Sequence, residues 1–196
     1  VTGDGAVTPT VVLIGPVAAG KSSVGAALAS LLGRPFVDLD EVAAGYYDEA
    51  GQPVSALIDH AVADGFVAAH RWWQPARAHA VQRVVEEFGG AVVALGAGHS
   101  HFEDDAFIVT VEQTLADALV VLLLPEPDVD ASVDCLRRRC VAERGADQDW
   151  LHDEVDFIRD WVVSAQNRSL ADVVVYDRGR SIREVADEVA RATSNR

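Results

Sequence analysis

The sequence predicts an α/β fold in which a five-stranded parallel sheet is flanked by helices. Five short hydrophobic runs recur along its 196 residues, and the segments between them carry apolar residues at helical spacing. A glycine-rich turn joins the first run to the first helix, the usual start of a strand–loop–helix unit.

The elements follow in order. Val11-Val12-Leu13-Ile14 is a continuous apolar run ending at Gly15, as expected of a strand buried on both faces. From Gly20 onward Val24, Leu28, Leu31 and Leu32 recur at helical spacing, and Gly33 supplies the stop. Pro35 leads into Phe36-Val37-Asp38, a second strand, before the acid-rich stretch Asp40 to Glu49 and a turn at Gly51-Gln52-Pro53. Val62 to Phe88 reads as helical, and Pro75 either bends that helix or opens a second one as a first-turn residue. After Gly89-Gly90, Ala91 to Leu95 forms a third strand that ends in Gly96-Ala97-Gly98. Leu119 to Leu124 is the fourth, stopped by Pro125. Val129, Val133, Leu136 and Cys140 then lie on one helical face, with Arg137-Arg138-Arg139 spilling off it. A polar, acidic stretch after Arg144-Gly145 precedes another helix through Trp161. Val173 to Tyr176 is the fifth strand, and Ser181-Ile182-Arg183-Glu184 opens the last helix with a capping box. With no repeat or linker, one domain over residues 1–196 is expected.

Sixteen Lys and Arg against 31 Asp and Glu give a net charge of −15, which repels nucleic-acid backbones and anionic membranes. The longest apolar run, Ala118 to Pro125, is too short to span a bilayer, and no basic-then-apolar leader opens the chain. A cytoplasmic protein, monomeric or weakly dimeric, is the expectation. Cys135 and Cys140 lie five apart in a predicted helix, a poor arrangement for a disulfide and too few ligands for zinc.

The chemistry begins at Gly15-Pro16-Val17-Ala18-Ala19-Gly20-Lys21-Ser22, which satisfies G-x-x-x-x-G-K-S between a strand and a helix. Such a loop turns successive backbone N–H groups, from Ala18 and Ala19 through Ser22 and Ser23, toward a phosphate at the positive end of the helix. Lys21 is placed to reach the β- and γ-phosphate oxygens of ATP, and the Ser22 hydroxyl to ligate Mg²⁺. Asp38-Leu39-Asp40 stands at the carboxyl end of the second strand, where ligand crevices of parallel sheets open. Strand alternation would put both carboxylates on one side, one of them for the Mg²⁺ shell and the other for an attacking hydroxyl. Solvated acids at a strand end, or caps for the following helix, are the plainer alternative.

These segments together resemble the shikimate kinase family. The resemblance rests on the loop, on Leu28-Ala29-Ser30-Leu31-Leu32, on Phe36-Val37-Asp38-Leu39-Asp40, on the glycine-rich third strand end and on an arginine-bearing lid. It implies a P-loop NTPase fold and a kinase transferring the ATP γ-phosphoryl group to a hydroxyl of a small, anionic acceptor. By position it implies that Asp38 assists Mg²⁺, that Asp40 holds the acceptor hydroxyl, and that Arg71 clamps an acceptor carboxylate within a helical acceptor region at about residues 41–75. Gly96, Ala97 and Gly98 would lie against the acceptor. Arg137 would cover the adenine, and Arg144, seven residues on, would approach the transferring phosphate from a lid at about residues 141–156.

The chain departs from the family mainly in its acceptor half. Phe66 follows Gly65 where an acid is usual, the arginine is displaced by one position, and Gln74 replaces its glutamate partner. Ala97 replaces the middle glycine, and the family's second acceptor arginine would fall near Val163, which only Arg159 and Arg168 flank. A kinase whose acceptor need not be shikimate is therefore the expectation. A nucleotide or sugar-acid kinase, or an ATP-binding regulatory protein without turnover, are the rivals. Among weaker signals, His99 and His101 with Glu103, Asp104 and Asp105 read either as a polar loop, as acceptor-pocket donors or as metal ligands. Trp72-Trp73 reads either as core or as an aromatic wall for the acceptor.

Overall fold

The computed structural model describes residues 8–144 and 149–194, without the side chain of Arg144. Strand β1 (Val11–Ile14) feeds the loop and then helix α1 (Lys21–Leu32). Gly33 ends α1 in the left-handed conformation, its N–H returning to the carbonyl of Ala29. Next come β2 (Phe36–Asp38) and α2 (Leu39–Glu49). Helix α3 (Val54–Asp64) lies mostly before the stretch 62–88 expected to hold one bent helix or two, and that stretch carries α4 (Phe66–Trp72) and α5 (Gln74–Glu87). Gly65, at φ 89°, makes the first break, and Pro75 sits in the first turn of α5, where its missing N–H costs nothing.

Strand β3 (Val92–Ala94) runs into a 3₁₀ turn, Ala97–Ser100, then α6 (Asp105–Leu115), β4 (Leu119–Leu124) and α7 (Val129–Arg144). A two-stranded hairpin, β5 (Leu151–His152) and β6 (Val155–Asp156), precedes α8 (Phe157–Val163) and α9 (Ala165–Leu170). The chain closes with β7 (Val173–Tyr176) and α10 (Ile182–Thr193). Ser181 and Glu184 complete the expected capping box at the start of α10.

The main sheet has the order β2-β3-β1-β4-β7, and each pair is parallel. Every residue of β1, β3 and β4 is buried, because helices cover the sheet. Helix α1 packs with α10, and α5 with α2 and α6. Gly25 sets how closely α1 lies on the sheet. A Cβ there would meet the Phe36 ring at 2.4 Å. Gly25→Ala is accordingly expected to cost about 1–3 kcal/mol by overpacking, measured as a shift in urea midpoint at unchanged slope.

Among the described residues no helix is long and apolar enough to cross a membrane. Neither Cys135 nor Cys140, both on α7, is in a disulfide. The loops that follow the carboxyl ends of β1, β2, β3 and β7 all open onto one cleft of about 620 Å³.

Candidate active site

The loop after β1 is curled by residues in positive-φ conformations: Gly15 at 136°, Ala18 at 57° and Gly20 at 81°. Gly15 also passes so close to β4 that a Cβ would come 2.5 Å from the Leu123 carbonyl oxygen. Gly20 is the N-cap of α1, so the helix opens onto the loop without a side chain in the way. Lys21 folds back along the loop, its Nζ donating to the carbonyls of Gly15 at 2.9 Å and Pro16 at 2.7 Å. Ala18, Gly20, Lys21, Ser22 and Ser23 line the cleft; Ala19 is buried beneath it.

Asp38 and Asp40 line the same cleft, but strand alternation does not bring them there. Strand β2 ends at Asp38, and Asp40 is already in the first turn of α2. Asp38 is the N-cap, with Oδ1 accepting the Asp40 N–H at 3.1 Å. The plainer expectation of a helix cap thus holds for Asp38, and capping itself turns Asp40 toward the cleft. Asp40 lies against the 3₁₀ turn. A Cβ on Gly96 would stand 2.4 Å from Asp40 Oδ1 and 2.6 Å from His99 Nδ1. Gly96→Ala is expected to push the Asp40 carboxylate aside and to cut turnover far more than it alters ATP affinity, a split read from kcat against nucleotide Kd.

Gly98 has a comparable reason to be glycine: a Cβ would meet Arg77 and His70 at 2.9 Å. The methyl of Ala97 is accommodated at the cleft wall beside them. Behind the turn lies Arg77, which sequence reasoning passed over. It is 2% exposed and donates to the carbonyls of Gly98, His101 and His70. Burial lowers its pKa to about 10. Desolvation, helped by the Arg77 charge, also drives His70 down to about 2 and His99 down to about 3, so both rings are neutral. Tyr47 holds His99 through a 2.8 Å bond to Nε2.

Two arginines stand elsewhere than the resemblance implied. Arg71 leaves the cleft and pairs with Glu103 at 2.5 Å on the surface, while His70, one residue earlier on α4, lines the cleft. Gln74, where the resemblance placed a lost partner for Arg71, instead accepts from the N–H groups of Glu103 and Asp104. Arg137 pairs with Asp156 at 2.7 Å and is absent from the cleft wall. Arg139 occupies it. The two residues lie about 200° apart around α7, and only Arg139 faces the loop. It grips Asp177 with two bonds of 2.8 and 3.0 Å and donates to the Ala18 carbonyl at 3.2 Å. Arg180, also missed, lines the cleft from the loop after β7, tied to Glu188 at 2.7 Å.

The described part of the expected lid rests on α4. His152 stacks on Phe66 at 4.2 Å, and Asp153 accepts the Val67 N–H at 3.1 Å. Arg144 ends α7, but its side chain lies outside the described residues. Trp73 lines the cleft and packs on Tyr47 at 4.3 Å, whereas Trp72 stacks on His60 at 4.1 Å. The tryptophan pair is thus divided between wall and packing.

Ser22 and Asp38 offer one hydroxyl and one carboxylate to a cation. Among the described residues no group of three or more His, Cys, Asp or Glu could hold a metal ion. Such a sparse oxygen set fits Mg²⁺, which keeps several waters and takes further ligands from substrate phosphates. His99 and His101 have other partners, Tyr47 and the Ser164 hydroxyl at 3.0 Å.

A family model described as shikimate kinase matches residues 17–194. The shikimate kinase of Marinomonas sp. (strain MWYL1) is 30% identical over 116 residues, 59% of this chain and 56% of that one. That of Stenotrophomonas maltophilia (strain R551-3) is 33% identical over 90 residues, 46% of this chain and 44% of that one. The chain spans about half the length of these curated relatives. Among solved structures, shikimate kinase from Acinetobacter baumannii in complex with shikimate has a TM-score of 0.66 at 20% identity, covering 95% of this chain and 93% of that one. Shikimate kinase from Aquifex aeolicus gives 0.59 at 18% identity, covering 95% and 96%. At such identities the likeness is one of fold.

Proposed function

The chain belongs to the shikimate kinase family, and from that premise we propose that it transfers the γ-phosphoryl group of ATP to a hydroxyl of a small molecule. The observation that carries the reading is the meeting, in one cleft, of the Gly15–Ser22 loop with Asp40 in the first turn of α2. Loop N–H groups and Lys21 bind the β- and γ-phosphates; Lys21 leaves the two loop carbonyls for phosphate oxygens. Ser22 and Asp38 hold Mg²⁺, which when bound neutralises phosphate charge. Arg139 and Arg180 border the nucleotide end of the cleft, and Arg144 is the proposed lid cation at the transferring group.

Asp40 orients the acceptor hydroxyl and takes its proton as the oxygen–phosphorus bond forms. The bond from the γ-phosphorus to the bridging oxygen breaks, and the electron pair leaves on ADP. Gly96 keeps the wall thin enough for Asp40 to stand beside the acceptor. The hairpin over α4 shields the acceptor end from water, which would otherwise compete as the nucleophile.

The test is coupled ADP release with ATP and Mg²⁺ across shikimate, sugar acids, nucleosides and uncharged ring alcohols. Acceptor-stimulated release is the expected result. ATP binding with flat turnover across the panel would favour a regulatory nucleotide-binding protein. Arg71→Ala is expected to leave acceptor KM within about twofold, because its guanidinium pairs with exposed Glu103 outside the cleft and surface pairs of this kind contribute little.

A further inference from the structure

Beyond Asp40 the cleft is walled by rings. Phe66 contacts His70 at 5.9 Å and Trp150 at 6.1 Å, and Trp150 meets Trp161 edge-on at 5.3 Å. Trp73 adds a further surface, fixed by Tyr47 and by its own Nε1 donating to the Gln52 carbonyl at 3.0 Å. All five of the rings Phe66, His70, Trp73, Trp150 and Trp161 line the cleft.

Among the described residues no guanidinium lines this end. Arg71 is turned out to Glu103, and Arg77 lies behind the 3₁₀ turn with its N–H groups on three carbonyls. The two histidines are neutral. Asp40 is the carboxylate set against the 3₁₀ turn at this end, while Asp38 and the Lys21 ammonium line the cleft at the phosphate loop. An acceptor carboxylate seated among the rings would lose its hydration with no arginine beside it among the described residues, and would have the Asp40 carboxylate as a neighbour. A flat apolar ring would gain burial and ring contacts there. Among the described residues the buried indole N–H groups of Trp150 and Trp161 have no hydrogen-bond partner.

Resting on the kinase reading above, we propose that the acceptor is an uncharged alcohol carried on a flat, apolar ring, and that Phe66, Trp73, Trp150 and Trp161 select it against hydroxy acids. The same alcohol as a carboxylate is bound poorly. The ring walls set the affinity, and Asp40 sets which hydroxyl is presented.

The experiment uses a matched pair, 4-(hydroxymethyl)benzoate and its methyl ester, with shikimate as a third probe. Each is titrated into the whole chain without nucleotide, and binding is read from tryptophan fluorescence. The ester is expected to bind at least about tenfold more tightly than the acid, since only the acid must desolvate an unpaired charge. His70→Arg, which sets a cation among the rings, is expected to narrow or reverse that preference. An acid bound as tightly as its ester in the unaltered protein, or an ester that does not bind, overturns the proposal. ADP release with the same probes is measured in parallel. Ester binding without turnover would count against phosphoryl transfer and leave the pocket's neutral-ring selectivity standing, so the two failures are separable.

Discussion

Lys21→Ala is expected to lower acceptor-dependent kcat/KM by about 10²–10³-fold, the loss that follows removal of one preorganised group stabilising transition-state charge. The ammonium is already at the mouth of the curled loop, 2.9 Å from the Gly15 carbonyl and 2.7 Å from that of Pro16. Its transfer to phosphate oxygens exchanges dipoles for full charges, and that exchange strengthens as negative charge develops. The backbone N–H groups that contact the phosphates survive the substitution, so weakened but measurable ATP binding accompanies the loss. Stopped-time assays of ADP formation, with calorimetric titration of ATP, separate the two effects. Activity within a few-fold of the parent would remove Lys21 from the machinery.

Asp40→Asn is expected to cost about 10²–10⁴-fold in turnover, the usual range for a positioned general base. Asparagine keeps the size of aspartate, so the close fit against Gly96, where a Cβ would come within 2.4 Å of Oδ1, is preserved. Affinity for ATP should therefore be unchanged while kcat falls. Gly96→Ala attacks the same carboxylate from the opposite side, and the two variants should not be additive, because each removes one function of a single group. Full turnover in Asp40→Asn would mean that the acceptor hydroxyl needs no acceptor for its proton at this position.

Most of the sheet is legible in the sequence because its strands read as unbroken apolar runs, the central three of them buried along their whole length. Leu119 to Leu124 and Val173 to Tyr176 appear at the predicted bounds. The hairpin β5–β6 is not legible. Its turn residues Asp153 and Glu154 take φ of 50° and 68°, positions at which glycine or asparagine would have announced the turn. Helix α6 hides behind an acidic start, although Val111 and Leu115, four apart, are its buried residues and Asp104 caps it. For the site, the loop motif is local and places its own residues. The arginines are not local. Which of Arg137, Arg138 and Arg139 reaches the cleft depends on α7 packing and on Asp177, 38 residues away in sequence. Likewise Arg71 is drawn outward by Glu103, and the neighbouring His70 takes the inner position.

The most direct measurement is ³¹P NMR of the whole protein incubated with ATP, Mg²⁺ and each acceptor of the panel. A new phosphomonoester resonance is expected to grow in step with ADP for at least one acceptor, and to disappear in both Lys21→Ala and Asp40→Asn. Inorganic phosphate as the sole new signal, or phosphomonoester formation undiminished by Asp40→Asn, would contradict this expectation.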